Sequence, residues 1–403
     1  MPTRAQVCAW ITAFGLAAPL TVAAQDRTER EIVDLIVRDG PRARAIRAET
    51  EVVRREQLAR LAYPNPEVTY SREGAGFTEF LQLGQLLPVF GTRAALSRAG
   101  VAATAAAEAE RDARLWMLRA DAATAVARLN AEQVRLEVAE AHIRHIERLI
   151  TVLQTREREG EGSRFDRLRA EQERRDARQV VTSAAIAVAE ARTVLAAMVP
   201  RDVAVTRVTG ALYVHRTPVP ADSLIARAAS TRAELRALQR SAEQASLEAE
   251  AARRARLPAP TLFGGVKRAD AGAGRERGSV FGLSLSLPLF DAGGREAARW
   301  AAARSGIEAE RASLERQIHM EIVRASEALA LRQAAVSADE EGTADELTRI
   351  AEVAYREGEV GILELLDAFR TSARSRVRSI ELRLDARLAQ ISLERAVGDV
   401  LWP

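Results

Sequence analysis

Apolar residues along this chain follow two different periods, and the periods switch from segment to segment. Across residues 92–159, Leu115, Leu118, Ala122, Ala125, Leu129, Leu136, Ala139, Ile143, Ile146, Ile150 and Leu153 recur at steps of three and four, broken only by Glu132. This is the seam of a coiled coil, so the spacing predicts one very long helix. At 1.5 Å per residue, about 67 residues span roughly 100 Å, several times the width of a compact domain. After a glycine-containing turn, Ala177, Val181, Ala184, Val188, Ala191, Leu195 and Met198 keep the same spacing, which predicts a helix that folds back antiparallel on the first. Residues 295–357 predict a second long helix, and Ala373, Val377, Ile380, Leu384 and Ile391 mark its returning partner.

The other period is two. In residues 279–287, Phe281, Leu283, Leu285 and Leu287 alternate with Gly282, Ser284 and Ser286, giving a strand with one apolar and one small polar face. Nine residues suit a strand that crosses a membrane, and the same alternation suits a half-buried soluble strand. Residues 67–72, 77–87 and 261–268 are the companion strands, with glycine-rich turns at 74–76 and 272–278. About eight strands make the smallest membrane barrel, so four strands reach a closed barrel only if several chains contribute.

The whole arrangement occurs twice. Pro64 and Pro66 in YPNPEV return as Pro258 and Pro260 in LPAPTL; QLLPVFGTR, with Pro88, returns as LSLPLFDAGGR, with Pro288; REGEGSRFDRL, with Gly160, returns as REGEVGILELL, with Gly358. The three offsets all stay near about 200 residues and keep their order, as a tandem duplication requires. The expected organisation is a leader at 1–24, a first repeat at 25–200, a proline- and β-rich linker at 201–220 and a second repeat at 221–403. Each repeat runs helix, two strands, very long helix, turn, helix.

Composition agrees with long packed helices. Apolar residues make up 47% and charged residues 29% of 403 residues, while aromatics are only 4%. The 59 Lys+Arg and 56 Asp+Glu are interleaved, which is not the one-sided basic footprint of a nucleic-acid binder. Arg4, the apolar run at 7–22 and the small residues Ala23 and Ala24 form a secretory signal expected to be cut after Ala24. That cut removes Cys8, the only cysteine, and with it disulfide and thiolate chemistry. No further run of 18 or more apolar residues follows, so entry into a membrane is expected through β-strands. No phosphate loop, Ser-His-Asp order or catalytic carboxylate pair stands out, so no enzyme and no cofactor is expected. His142 and His145, at i and i+3, face one way and could share a metal, but they lack the cysteine or carboxylate partners of a structural site, and no metal site is assigned. His215 and His319 stand alone.

The duplicated strand pair, the strand-end prolines Pro88 and Pro288, the PLFDAGGR turn and the segment YREGEVGILELLDAFRT together resemble the TolC family of outer membrane efflux proteins. The likeness covers nearly the whole mature chain. It implies a mainly α protein with a small β part: a homotrimer whose twelve strands, four per protomer, form an outer-membrane barrel that continues into a periplasmic α-helical barrel. It also implies two partners at the far tip, a periplasmic adaptor (membrane fusion) protein and an inner-membrane pump of the RND type, in a Gram-negative cell. The length and the YPNPEV stretch look most like the CzcC-like members paired with heavy-metal and other cation pumps. Other family roles, multidrug export or type I secretion, are alternatives, as is a soluble periplasmic coiled-coil scaffold outside the family.

The resemblance carries onto a few positions. The turns Gly160, Glu161, Gly162, Ser163 and Gly358, Glu359, Val360, Gly361 correspond to the adaptor-docking tip. Glu364 and Asp367 match the acidic positions that ring the tunnel entrance, and three copies would gather six carboxylates around one axis. Asp166 is the first-repeat counterpart of Glu364, while Arg169 replaces that of Asp367. Val360 stands where relatives carry a basic latch residue. Phe281, Leu283, Leu285 and Leu287 are the expected lipid-facing strand positions.

Overall fold

The computed structural model describes residues 25–74, 78–254, 256–270, 274–290, 292–339 and 343–402. The expected leader with Cys8, the hairpin residues Ala75, Gly76, Phe77 and Gly272, and Asp291 of the PLFDAGGR turn lie outside them. The described chain is dominated by helices.

Strand β1 (Gln25–Thr28) leads into helix α1 (Glu29–Asp39), which Thr28 and Glu31 cap reciprocally. Helix α2 (Pro41–Arg60) follows after a break. The sequence order predicts one helix before the strands, and the cause of the break is local: Pro41 has no N–H to donate back into α1, and Gly40 sits so tightly that a Cβ would lie 2.4 Å from the Ile36 carbonyl oxygen and 2.7 Å from that of Met198. Strands β2 (Glu67–Glu73) and β3 (Thr78–Leu86) form a hairpin. Helix α3 (Thr92–Arg158) is a single rod of 67 residues, and α4 (Arg164–Ala196) returns along it.

The same order then recurs. Strand β4 (Val205–Thr209), in the linker, pairs parallel with β1. Helices α5 (Ala221–Thr231) and α6 (Ala233–Arg254) are broken at Arg232, whose buried guanidinium donates to the carbonyls of Arg395 and Ala396. Strands β5 (Pro260–Asp270) and β6 (Arg275–Leu285) form the second hairpin. β6 starts four residues earlier than the alternation suggested and ends at Leu285, so Gly278 belongs to the strand and Leu287 lies just past it. The expected single helix over 295–357 is two, α7 (Gly294–Ser337) and α8 (Thr343–Glu357). Helix α7 ends at its cap Ala338, whose N–H donates to the Ala334 carbonyl at 3.0 Å, and Asp339 beyond it adds a negative charge at the negative end of the α7 dipole. Helix α9 (Ile362–Val397) returns to the middle of the molecule.

The seam residues pack as their spacing requires. Leu118, Ala122, Leu129, Ala139, Ile146, Ile150 and Leu153 are buried, and Glu132 is accommodated at the break by pairing with Arg135 at 2.7 Å. The largest apolar cluster lies mid-molecule, where α1, α2, α3, α4, α9 and β4 meet around Ile32, Ile36, Leu118, Val126 and Leu129. A smaller one, around Ile146, Leu153, Leu365 and Phe369, stabilises the far end.

The wall is one helix thick. Near the sheet, the lateral order of packed helices is α2, α3, α6, α7; toward the turns, α4 lies against α3, α3 against α9, and α9 against α7 and α8. Helix α4 is the one described helix long and apolar enough to cross a membrane, with a mean hydropathy of 1.2 over its most apolar stretch. Its seam face instead packs on α3, and Glu190 and Arg192 interrupt the stretch.

Candidate functional site

Two regions hold the sequence-predicted site residues, at opposite ends of the rods. The first is the sheet, ordered β2-β3-β5-β6 and antiparallel throughout, with β2 and β6 as unpaired edges. Residues directly opposite in register share a face. One face therefore collects Val68 and Tyr70 of β2, Leu81 and Leu83 of β3, Leu262 and Val266 of β5, and Phe281, Leu283 and Leu285 of β6. These side chains are exposed, Phe281 at 82% and Leu283 at 66%, and Leu287 past the strand end at 61%. A soluble sheet buries such a face; this one covers it with nothing from its own described residues. The opposite face carries Thr69, Gln82, Ser284, Gly265 and Gly282, with Phe80 and Phe263 as its large residues.

The second region is the pair of turns. Gly160 and Gly358 both adopt left-handed φ, 80° and 79°. In each turn the same two hydrogen bonds close the preceding helix: Glu161 N–H donates to Arg156 at 2.9 Å and Gly160 N–H to Glu157 at 3.2 Å, as Glu359 N–H donates to Ala354 at 2.8 Å and Gly358 N–H to Tyr355 at 3.2 Å. This six-to-one closure requires a residue that tolerates positive φ, which explains glycine at both positions. Ser163 then caps α4 by accepting from Phe165 N–H at 3.1 Å.

A tip cavity of about 360 Å³ between the turns is lined by Asp166 and Glu364 together, with Tyr355, Arg156, Gly162 and Val360. Duplication thus places the two matched carboxylates around one cavity. Asp367 is exposed one turn further along α9 and does not line it. The Glu364 carboxylate folds back over Gly361, where a Cβ would stand 2.8 Å from Oε2, so it sits at the positive end of the α9 dipole. Burial, and then Asp166, push the Tyr355 hydroxyl above its ordinary pKa. Phe165, Leu168 and Leu363 are exposed beside the turns, an apolar rim around a polar cavity.

Three side chains that sequence spacing did not reveal hold this end together. Arg167 donates to Glu157 at 2.5 Å and to Glu171 at 2.7 Å, tying α4 back to α3, and both carboxylates raise its pKa. Arg370 of α9 makes a bidentate pair with Glu173 of α4, which is 5% exposed. The partners Arg167 and Glu157 lie 10 residues apart, and Arg370 and Glu173 lie 197 apart, so no local pattern marks them.

His142 and His145 face a cavity of about 230 Å³ between α3, α8 and α9, with Thr348, Glu352 and Phe369. His145 Nδ1 is 3.9 Å from Glu352, and its ring stands edge-on to Phe369. Burial lowers the pKa of both imidazoles; Glu173 opposes it at His142 and Glu352 at His145. Among the described residues no three His, Cys, Asp or Glu side chains are grouped to hold a metal ion.

Comparison with known proteins bears on both regions. The profile of the outer membrane efflux protein family matches residues 224–399, most of the second repeat. No curated protein matches the sequence. Among solved structures, the open-state outer membrane channel MtrE of Neisseria gonorrhoeae is 22% identical, with 93% of this chain and 89% of that chain covered and a TM-score of 0.72. The outer membrane channel CmeC of Campylobacter jejuni is 12% identical, covering 93% and 87%, at 0.71. The outer membrane protein VceC of Vibrio cholerae is 18% identical, covering 92% and 96%, at 0.68. The fold over both halves is that of these channels.

Proposed function

We propose that this chain, with its family match over the second half and a channel fold over the whole, is a passive outer-membrane exit duct of a tripartite efflux system. One observation carries the reading: a four-stranded sheet with an exposed apolar face and two unpaired edges, set on a helix wall that is also open at both sides. Val180, Ile186 and Val194 are exposed on α4 at one side, and Met320, Leu331, Ile350 and Val353 on α7 and α8 at the other. Unlike edges that pair head to tail generate a ring, and three copies bring twelve strands into one barrel. The apolar face then meets lipid, and the helical wall encloses a tunnel about 100 Å long, at 1.5 Å per residue of α3.

Within this reading the repeats 25–200 and 221–403 each supply half of a protomer's wall, and residues 201–220 form the belt between them. The turns at 160–163 and 358–361, with their apolar rim, form the docking tip for a periplasmic adaptor. An inner-membrane pump supplies the energy, and heavy-metal cations are the favoured cargo. Asp166, Glu364 and Asp367 line or flank the tunnel entrance and attract cations there.

The test is purification in detergent, cross-linking and planar-bilayer recording. A cross-linked trimer with steady conductance is expected; a soluble monomer without conductance would overturn the duct. Replacing Glu364 and Asp367 together by Ala is expected to weaken block by divalent cations and lower cation preference, and unchanged recordings would remove both residues from the entrance.

A further inference from the structure

The outward face of the sheet does not stay apolar to its end. One register row beyond Tyr70, Leu81, Val266 and Ser279, the directly opposed residues are Arg72, Glu79, Arg268 and Arg277. The next row on that face sets Asp270 against Arg275. Four arginines stand against two carboxylates there, while the corresponding end of the inward face carries Glu73, Thr78, Ala269 and Glu276. The outward face is therefore net positive at this end, while the inward face carries two carboxylates there and a single cation, Lys267, one row further in.

Arg268 and Arg277 are directly opposite each other on neighbouring strands. Like charges in that position oppose pairing unless an anion lies between them. Glu79 meets Arg268 from β3 on the other side, and it also accepts from the Tyr70 hydroxyl at 3.3 Å, so it serves both neighbours. β6 is the last strand of the sheet in one chain, and in the proposed ring its neighbour is β2 of the next copy, which presents Val68, Tyr70 and Arg72 on this face and no carboxylate to Arg277. The chain enters and leaves the sheet through helices at the opposite end, so this row lies toward the hairpin tips. From Leu285 to Arg277 is roughly 27 Å of strand at about 3.4 Å per residue, comparable to the apolar band of about 25 Å that a membrane barrel presents. The arginines thus follow where the hydrocarbon ends.

We infer that this row is a docking site for the phosphate groups of an outer-leaflet lipid. Guanidinium groups match phosphate oxygens in geometry and charge, and a phosphate seated between Arg268 and Arg277 relieves their repulsion while the acyl chains lie along Phe281, Leu283 and Val266. The inference rests on the lipid-facing reading of the sheet given above.

The experiment uses the full-length protein, purified in detergent and first checked for conductance in planar bilayers. Loss of conductance in the wild type counts against the duct, not against this site. Native mass spectrometry then compares binding of bis-phosphorylated lipid A, its dephosphorylated form and inorganic phosphate. Each arginine near a charged headgroup contributes about fivefold in affinity, so R268Q with R277Q is expected to weaken lipid A binding about 25-fold, to the level of the dephosphorylated lipid. R268K with R277K is expected to retain most of it, and E73Q with E276Q, on the other face, all of it. Equal binding of both lipid forms, binding unaffected by the double Gln variant, or inorganic phosphate bound as tightly as the lipid would each overturn the site.

Discussion

Burial lowers the pKa of His142, and this makes one residue-scale property of the cavity between α3, α8 and α9 measurable. Its pKa is lowered first by desolvation and further by His145 and Arg370, with Glu173 pulling the other way. A base with a depressed folded-state pKa favours the fold while neutral. Its contribution is present above the ordinary value of about 6.5 and is lost as pH falls through the lower folded value. Thermal unfolding of the purified protein is therefore expected to shift to lower temperature as pH drops below about 6.5, and H142Q to flatten that dependence. An identical pH profile in the variant would mean that other groups carry it. Sequence placed His142 and His145 on one helix face, but their burial against α8 and α9 depends on residues about 200 positions away.

At the scale of elements, two contacts can be tested by substitution. Arg370 and Glu173 join α9 to α4, which otherwise barely touch. R370A strands a buried carboxylate, and a loss of about 3 kcal/mol in chemical unfolding is expected, whereas E173L with R370L recovers most of it because the unpaired charge is gone. Recovery failing in the double variant would indicate that geometry, not charge, matters there. In the sheet, L283R places a charge at mid-strand on the apolar face. If that face meets lipid, the cost is about 2–4 kcal/mol and the protein folds poorly into vesicles; on a solvent-facing strand the change is nearly neutral. The long helix α3 was legible to within a residue because its seam repeats over many turns. The break between α7 and α8 was not, since charge at a helix end shifts a local balance that periodicity does not register. β1 escaped for another reason, and β4 was legible only as part of a β-rich linker: they pair across about 180 residues, and each is too short to show a period.

For the whole molecule, the open edges of the sheet and of the helix wall are the surfaces that the proposed trimer would close. A deletion strain is expected to become selectively sensitive to cobalt, zinc, cadmium or other metal cations if the cargo is metal, and regain resistance with the intact gene. Selective sensitivity to lipophilic drugs and dyes would keep the duct and replace the cargo.

The sequence alone determined whatever repeats locally: the long helices, the reversing glycines, the alternating strands and the duplication of all of them. Period and turn chemistry act through neighbours within a few residues, so one chain displays them. Tertiary structure decided what depends on distant partners. It brought Asp166 and Glu364 to one cavity, left Asp367 outside it, and joined the two hairpins so that the apolar residues of four strands share a face, with Glu79 opposed to Arg268 beyond it. Register between the two hairpins and contact between rods of different repeats are set by packing over nearly two hundred residues, and no local pattern encodes them.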